Sequence, residues 1–159
     1  MKILGIDPGY DRLGIAVVEK NSKEKEKVVF SRCLETSPRD SIYSRFRQIG
    51  AEISCILEKY DPDVMAIENL FITKNQKTAM RVSEVRGIII YEAVRCGIPV
   101  FEYSPMQIKT AITGDGTSDK RRMIKMLGLL VKISSKRALD DEYDAVAVAL
   151  TYSACHPAS

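Results

Sequence analysis

Four acids occupy places where a folded chain has little use for negative charge. Asp7 ends the apolar run KILGID and is followed at once by Pro8 and Gly9. Glu68 stands near the end of VMAIENLF, a segment apolar on both faces until that residue. Asp141 and Asp144 open LDDEYDAVAVAL, three residues apart and therefore on one face of a helix. A carboxylate removed from water costs free energy unless it is paired. Brought together, four of them would repel, each pair by as much as ~4 kcal/mol at ~4 Å with an effective dielectric of about 20. Something positive must sit among them. The donors are all oxygens, the single histidine is His156, and the cysteines Cys33, Cys55, Cys96 and Cys155 form no CxxC pair. The pattern points to the hard ions Mg²⁺ or Mn²⁺, not to zinc, and not to lysine or arginine as the occupant of the pocket. Two such ions about 3.5–4 Å apart would activate a water and stabilise the leaving oxygen of a phosphodiester.

Plainer roles exist for three of the acids. Asp141 or Asp144 could complement a helix amino terminus, which is worth about 0.3–1 kcal/mol. Asp7 before Pro-Gly is ordinary turn chemistry. Glu68 has no comparable use in an interior strand.

The elements that carry these residues can be read from periodicity. Lys2 to Asp7, Gly14 to Val18 and Val28 to Leu34 read as strands, the last two joined by the polar segment NSKEKEK, which suits a hairpin tip. Ile42, Phe46, Ile49, Ile53, Leu57 and Tyr60 mark an amphipathic helix, begun after Ser37-Pro38 and stopped by Asp61-Pro62. Val64 to Phe71 reads as a central strand, followed by a helix over Gln76 to Cys96 and a strand over Val100 to Tyr103. The carboxyl third reads as two helices, Ser118 to Val131 after the loop TGDGT, and Arg137 to Ala154. Three strands in an antiparallel meander, then parallel strands alternating with helices, predict an α/β fold with a mixed five-stranded sheet and helices on both faces. Asp7 and Glu68 then lie at the carboxyl ends of strands, the edge at which open α/β sheets bind ligands.

With 159 residues, 45% hydrophobic and 28% charged, the chain has globular composition and the size of one domain, 1–159. Its net charge of +3 says little. Between Ser104 and Arg137, however, eight basic residues face two acidic ones, which suits an anionic partner. The amino terminus breaks its apolar run too early for a signal peptide, and no stretch approaches the ~18 apolar residues of a membrane span, so a cytoplasmic location is expected.

The ordered set IDPGYDRLGIAV, AIENLF followed by KN, VFEYSPMQIK, TGDGTSDK and DEYDAVAVA resembles the RuvC family of Holliday junction resolvases, the crossover junction endodeoxyribonucleases, from about residue 2 to 154. The resemblance implies an RNase H-like fold and a homodimer. It also implies Mg²⁺-dependent paired nicking of four-way DNA junctions that leaves 5′-phosphates, in recombination and repair, beside branch-migration motor proteins. It places a catalytic, metal-binding tetrad on Asp7, Glu68, Asp141 and Asp144. Asp140, Asp141 and Glu142 are consecutive acids, and the spacing from Asp144 in DAVAVA selects Asp141.

Lys120, Arg121 and Arg122 fall in the first turn of their helix with Ser118 as the expected cap, and Gly114 and Gly116 would allow a phosphate close to the backbone. A solvated basic face is the alternative. The resemblance favours Lys109 and Lys120 as DNA contacts, and an aromatic at Phe71 that reaches unstacked bases, although Phe71 read without it is as suited to the core. Lys74 and Lys77 could line the same groove. In the helix from Gln76, residues Met80, Val82, Val85, Ile88, Ile89, Ile90, Tyr91 and Val94 offer more apolar surface than one sheet face requires, and part is assigned to a partner chain. The rival readings are a nucleic-acid-binding RNase H-like module that does not cut, and an actin-like ATPase or sugar kinase built on the DPG hairpin, for which 159 residues leave no second lobe.

Overall fold

The structure, a computed structural model, describes residues 1–21, 25–69, 76–131 and 140–157. The strands are β1 (Lys2–Asp7), β2 (Arg12–Glu19), β3 (Lys27–Glu35), β4 (Val64–Glu68) and β5 (Val100–Tyr103). They form one sheet in the order β3-β2-β1-β4-β5, with β1–β2 and β2–β3 antiparallel and β1–β4 and β4–β5 parallel. This is the expected meander followed by parallel strands. β4 is shorter than expected, because Val64–Glu68 is the extent of its pairing and residues 70–71 lie outside the described part.

Alternation along each strand sorts the core into two layers. Leu4, Ile6, Leu13, Ile15, Val17, Met65 and Ile67 pack against α1 (Ile42–Tyr60) and α2 (Gln76–Arg95). Ile3, Ala16, Val18, Val64 and Ala66 face α3 (Pro105–Thr113), α4 (Lys120–Leu130) and α5 (Asp140–Cys155). α1 starts at the cap Ser41, whose side chain accepts from the Ser44 amide, and ends on Asp61 in the left-handed region at φ 46°. α2 follows its expected span. α3 was not expected from the sequence. Ser104 caps it in a reciprocal box with Gln107, and Gly114, at φ 74°, closes it.

α4 also departs from expectation at its start. Its cap is Asp119, which accepts from the Arg122 amide, and Ser118 is instead buried and bonded to Thr113 and Asp115. A carboxylate suits this end better than a hydroxyl, because it also complements the helix dipole.

The contact that positions everything else is α5 on the sheet. A Cβ at Gly5 would lie 2.2 Å from the Ala145 carbonyl oxygen and 2.8 Å from Ala149 Cβ. A Cβ at Gly14 would lie 2.1 Å from the Asp141 carbonyl oxygen. Only glycine fits at either position, and Ala145 and Ala149 keep the helix side of the seam equally small. Replacing Gly5 with alanine is expected to lower stability by about 1–3 kcal/mol, the cost of overpacking a closed core, read as a lower urea midpoint. An unchanged midpoint would show that α5 does not bear on β1 this tightly.

Candidate active site

β1 and β4 are neighbours with Ile6 opposite Ile67, so Asp7 and Glu68 each come one residue later, level with one another at adjacent parallel strand ends. Both share the sheet face of Gly5 and Ala66, the face that α5 covers. α5 crosses β2 at Gly14, which brings Asp141 and Asp144 to the same end of the sheet. The local reasons are plain. The strands are apolar to their last residue, Pro8 cannot continue the ladder, and α5 keeps its acids in the first turns, where its dipole favours them.

Asp7 and Glu68 are close enough to share a proton. Burial pushes the Asp7 carboxyl well above the ordinary range, and the charges of Glu68, Asp144 and Asp141 add to the shift. Glu68 is also raised, chiefly by burial, although the hydrogen bond from Asp7 and the nearby Lys120 and Lys109 pull it back. Asp144 is raised too, because burial outweighs an ion pair with Lys120.

The expectation that no lysine or arginine would occupy the acidic cluster is not met. Lys120 Nζ donates to Asp144 Oδ2, and Arg12 Nη2 pairs with Asp141 Oδ2 at 2.5 Å. Both acids stand at the rim, with side chains 31% and 22% exposed, and a protein cation in contact with water is an inexpensive counter-charge there. Among the described residues no cation pairs with Asp7 or Glu68, and burial of this inner pair disfavours its negative charge. Among the described residues no three acid, thiol or imidazole groups close around a point as a finished ion cage. The donor set still fits a hard divalent ion, since every candidate ligand is a carboxylate and a bound cation would offset the charge that burial makes costly at the inner pair.

Beside the acids opens a cleft of about 240 Å³ lined by Glu68, Asp144, Lys109, Lys120, Pro105, Ile108 and Met123. The structure thus places Lys109 and Lys120 beside Glu68 and Asp144. Arg121 is exposed on α4, and Lys77 is exposed in the first turn of α2. Arg122 is already engaged, reaching Asp115 at 3.1 Å and the Thr113 carbonyl oxygen at 3.4 Å. Asp115 also accepts from the Thr117 amide and hydroxyl, and these bonds hold its carboxyl below the usual range. Gly114 closes α3 in the left-handed region with open space beside it, whereas Gly116 packs on α3, where a Cβ would meet Met106 Cγ at 2.8 Å. Phe71 and Lys74 lie outside the described residues.

Three arginines at the site escaped the sequence reading. Arg12 has been described. Buried Arg45 on α1 donates to Thr36 Oγ1 and the Tyr10 carbonyl oxygen, each at 2.7 Å, pairs with Asp11, and lies 4.8 Å over the Tyr10 ring. It clamps the turn that follows Asp7. Arg86 on α2 pairs with Glu102 at 2.5 Å and donates to Asn69 Oδ1 at 3.4 Å, steadying the chain just after Glu68. Only the position of Arg12, directly after the DPG turn, was a signal; the other two need the tertiary fold.

A mixed sheet in this order, with acids at two central strand ends and on the helix that crosses them, defines an RNase H-like nuclease. The chain matches the family described as "Crossover junction endodeoxyribonuclease RuvC" over residues 3–152, and it belongs to that family. A crossover junction endodeoxyribonuclease RuvC of Thermosipho melanesiensis is 42% identical over 149 residues, covering 94% of each chain. Its counterpart in Brevibacillus brevis is 39% identical over 153 residues, covering 96% of this chain and 92% of the relative. Among solved structures, T. thermophilus RuvC in complex with Holliday junction substrate superposes with a TM-score of 0.87 at 27% identity, covering 97% of this chain and 94% of that one. Membership implies dependence on a divalent metal.

The raised Asp7 carboxyl has a consequence for stability. Between the ordinary carboxylate range and the raised value, the folded chain holds a proton that the unfolded chain has lost, so stability falls as pH rises through that window. Urea unfolding in EDTA should show this fall, at most about 1.4 kcal/mol per pH unit for one proton, and Asp7→Asn should flatten it. A profile identical in the two proteins would place Asp7 in water.

Proposed function

We propose that this chain, a single nuclease domain over 1–159, is a homodimeric endonuclease that resolves four-way DNA junctions by paired nicks in recombination and repair. Asp7, Glu68, Asp141 and Asp144 are the acids assigned to catalysis, with Mg²⁺ as the ion and Mn²⁺ as a substitute. One observation carries the reading: desolvated carboxyls at adjacent strand ends stand beside a cleft whose walls combine Glu68 and Asp144 with Lys109 and Lys120. That charge pattern suits a phosphodiester, with acids to hold cations on one side and lysines to hold its neighbours on the other.

The division of labour follows from placement. Asp7 and Glu68 are fixed by rigid strands, so their oxygens present a constant geometry. Asp144 lines the cleft with one oxygen on Lys120, whereas Asp141 lies off it with one oxygen on Arg12. Lys109 and Lys120 hold the backbone of the DNA, while Lys77, Lys74 and Phe71, which follow β4, extend the contact toward the crossover. Arg121 faces solvent for the same use; Arg122 contributes by ordering the loop before α4. Divalent ions, when bound by the acids, supply the activated water and stabilise the leaving oxygen. The chain works in the cytoplasm beside branch-migration motors, as the family resemblance suggests. Among the described residues no helix is long and apolar enough to cross a membrane.

Paired nicks need two sites related by a twofold axis. Val85 and Ile89 of α2 are buried in this chain's own core, while Met80, Tyr91 and Val94 stay 65%, 62% and 62% exposed along one stripe of the helix. That stripe is the surface assigned to the partner copy. Tyr91→Glu is expected to give a monomer by light scattering and to replace paired nicks by single ones; a dimer of unchanged mass would move the interface elsewhere.

The reaction is tested with a labelled four-way junction and a linear duplex, with and without Mg²⁺. Cleavage should require both the junction and the ion. Asp7→Asn should cut at least about 100-fold more slowly, since even the outer partners of metal ligands are worth about 10- to 100-fold. It should still bind the junction in a mobility-shift assay. Undiminished nicking by that variant removes Asp7 from the mechanism.

A further inference from the structure

The two cations at the rim are placed differently. Lys120 lines the cleft with Lys109, Glu68 and Asp144, and its side chain is 43% exposed. Arg12 is not among the cleft residues and meets Asp141 from the β2 side, where the Cys33 thiol lies 3.7 Å from the same carboxylate oxygen. A lysine facing a carboxylate across an open cleft has a second anionic partner as soon as a phosphate enters. One ammonium group cannot neutralise both in full.

We propose that Lys120 is a latch released by substrate: it holds the Asp144 carboxylate in the free protein and passes to a phosphate of the bound DNA, which frees Asp144 to ligate a divalent ion. The inference rests on the reading of Asp144 as a metal ligand. An ion pair between partly exposed groups is worth ~0–1 kcal/mol, so the exchange meets no large barrier of stability. Lys120 is also the first residue of α4, where the helix dipole disfavours an unpaired cation, so it takes an anion in either state. The helix itself stays in place, because Asp119 caps it and the Asp115–Arg122 pair orders the loop before it. Only the flexible stem of the lysine has to move. Arg12, away from the cleft, keeps Asp141 throughout. DNA and metal then bind with positive coupling, and by linkage each raises the affinity for the other by the same factor. An ion bound without substrate would find Asp144 closed.

The test is Mn²⁺ binding followed by electron paramagnetic resonance, on the full chain alone and with a junction carrying phosphorothioate linkages through its crossover. The parent should bind Mn²⁺ at least about fivefold more tightly when the junction is present. Lys120→Met should bind Mn²⁺ about fivefold more tightly than the parent without DNA, and should gain little from adding it. Lys120→Arg should restore the dependence on DNA. Lys109→Met removes a positive charge from the same cleft without touching the Asp144 pair, and should change the free-protein affinity less. Equal gains from the Lys109 and Lys120 variants would replace the latch by a general field effect, and no gain from Lys120→Met would overturn it outright. If the parent bound no Mn²⁺ with or without DNA, the metal reading of the acids would fall together with the latch.

Discussion

Backbone meets backbone where α5 crosses β1 and β2. The Ala145 carbonyl oxygen sits over Gly5 and the Asp141 carbonyl oxygen over Gly14, each at a distance that a single methyl group would abolish. Because the helix can come this close, its first turns reach the plane in which Asp7 and Glu68 end their strands. A helix held further out by side chains would carry Asp141 and Asp144 away from the sheet, and the four acids would become two separate pairs. The chemistry depends on small residues that have no chemistry of their own.

That closeness has an electrostatic cost, and the structure meets it in two ways. The inner acids, Asp7 and Glu68, are desolvated and their carboxyls pushed toward the neutral form, while the rim acids, Asp141 and Asp144, are paired with Arg12 and Lys120. The difference follows exposure. A guanidinium or ammonium group can reach the rim while remaining in contact with water, whereas placing one between the inner pair would require desolvating a second charge. A rim counter-charge can also face the open cleft, as Lys120 does. Arg12 is the exception, since Cys33 and Glu35 surround it and its acid lies off the cleft.

Much of this was legible because strong constraints leave marks in sequence. β1, α1 and β5 have the limits that periodicity and breakers such as Asp61-Pro62 predict, because each has an uninterrupted apolar face. Asp7 and Glu68 stood out for the opposite reason, as charges that interrupt such faces. α3 was missed although its start, Ser104-Pro105-Met106-Gln107, spells a capping box. At nine residues it has little periodicity to detect, and it follows a strand that ends in the same apolar run. Serine favours a helix cap, which points to Ser118 at the start of α4, but its hydroxyl bonds back to Thr113 within the loop and leaves the cap to Asp119. The roles of Arg45 and Arg86 could not be read at all. Their partners lie between 9 and 35 residues away, and no local pattern encodes such a meeting.

The same reasoning explains why the basic stretch divides as it does. The basic charges of the stretch that lie among the described residues take different places once folded. Arg122 is consumed by Asp115 in fixing the loop, Lys109 and Lys120 face the acids across the cleft, and Arg121 is left to solvent. The two lysines beside the acids also lower the charge cost of Glu68, so under the proposed function a phosphate drawn in by the basic stretch would meet them first. Attraction over distance comes from the sum of the charges, whereas alignment with the acids comes from two of them. An enzyme that must recognise DNA by shape and cut it at one place benefits from that separation, because the long-range field can be broad while the contact that places the scissile bond stays narrow.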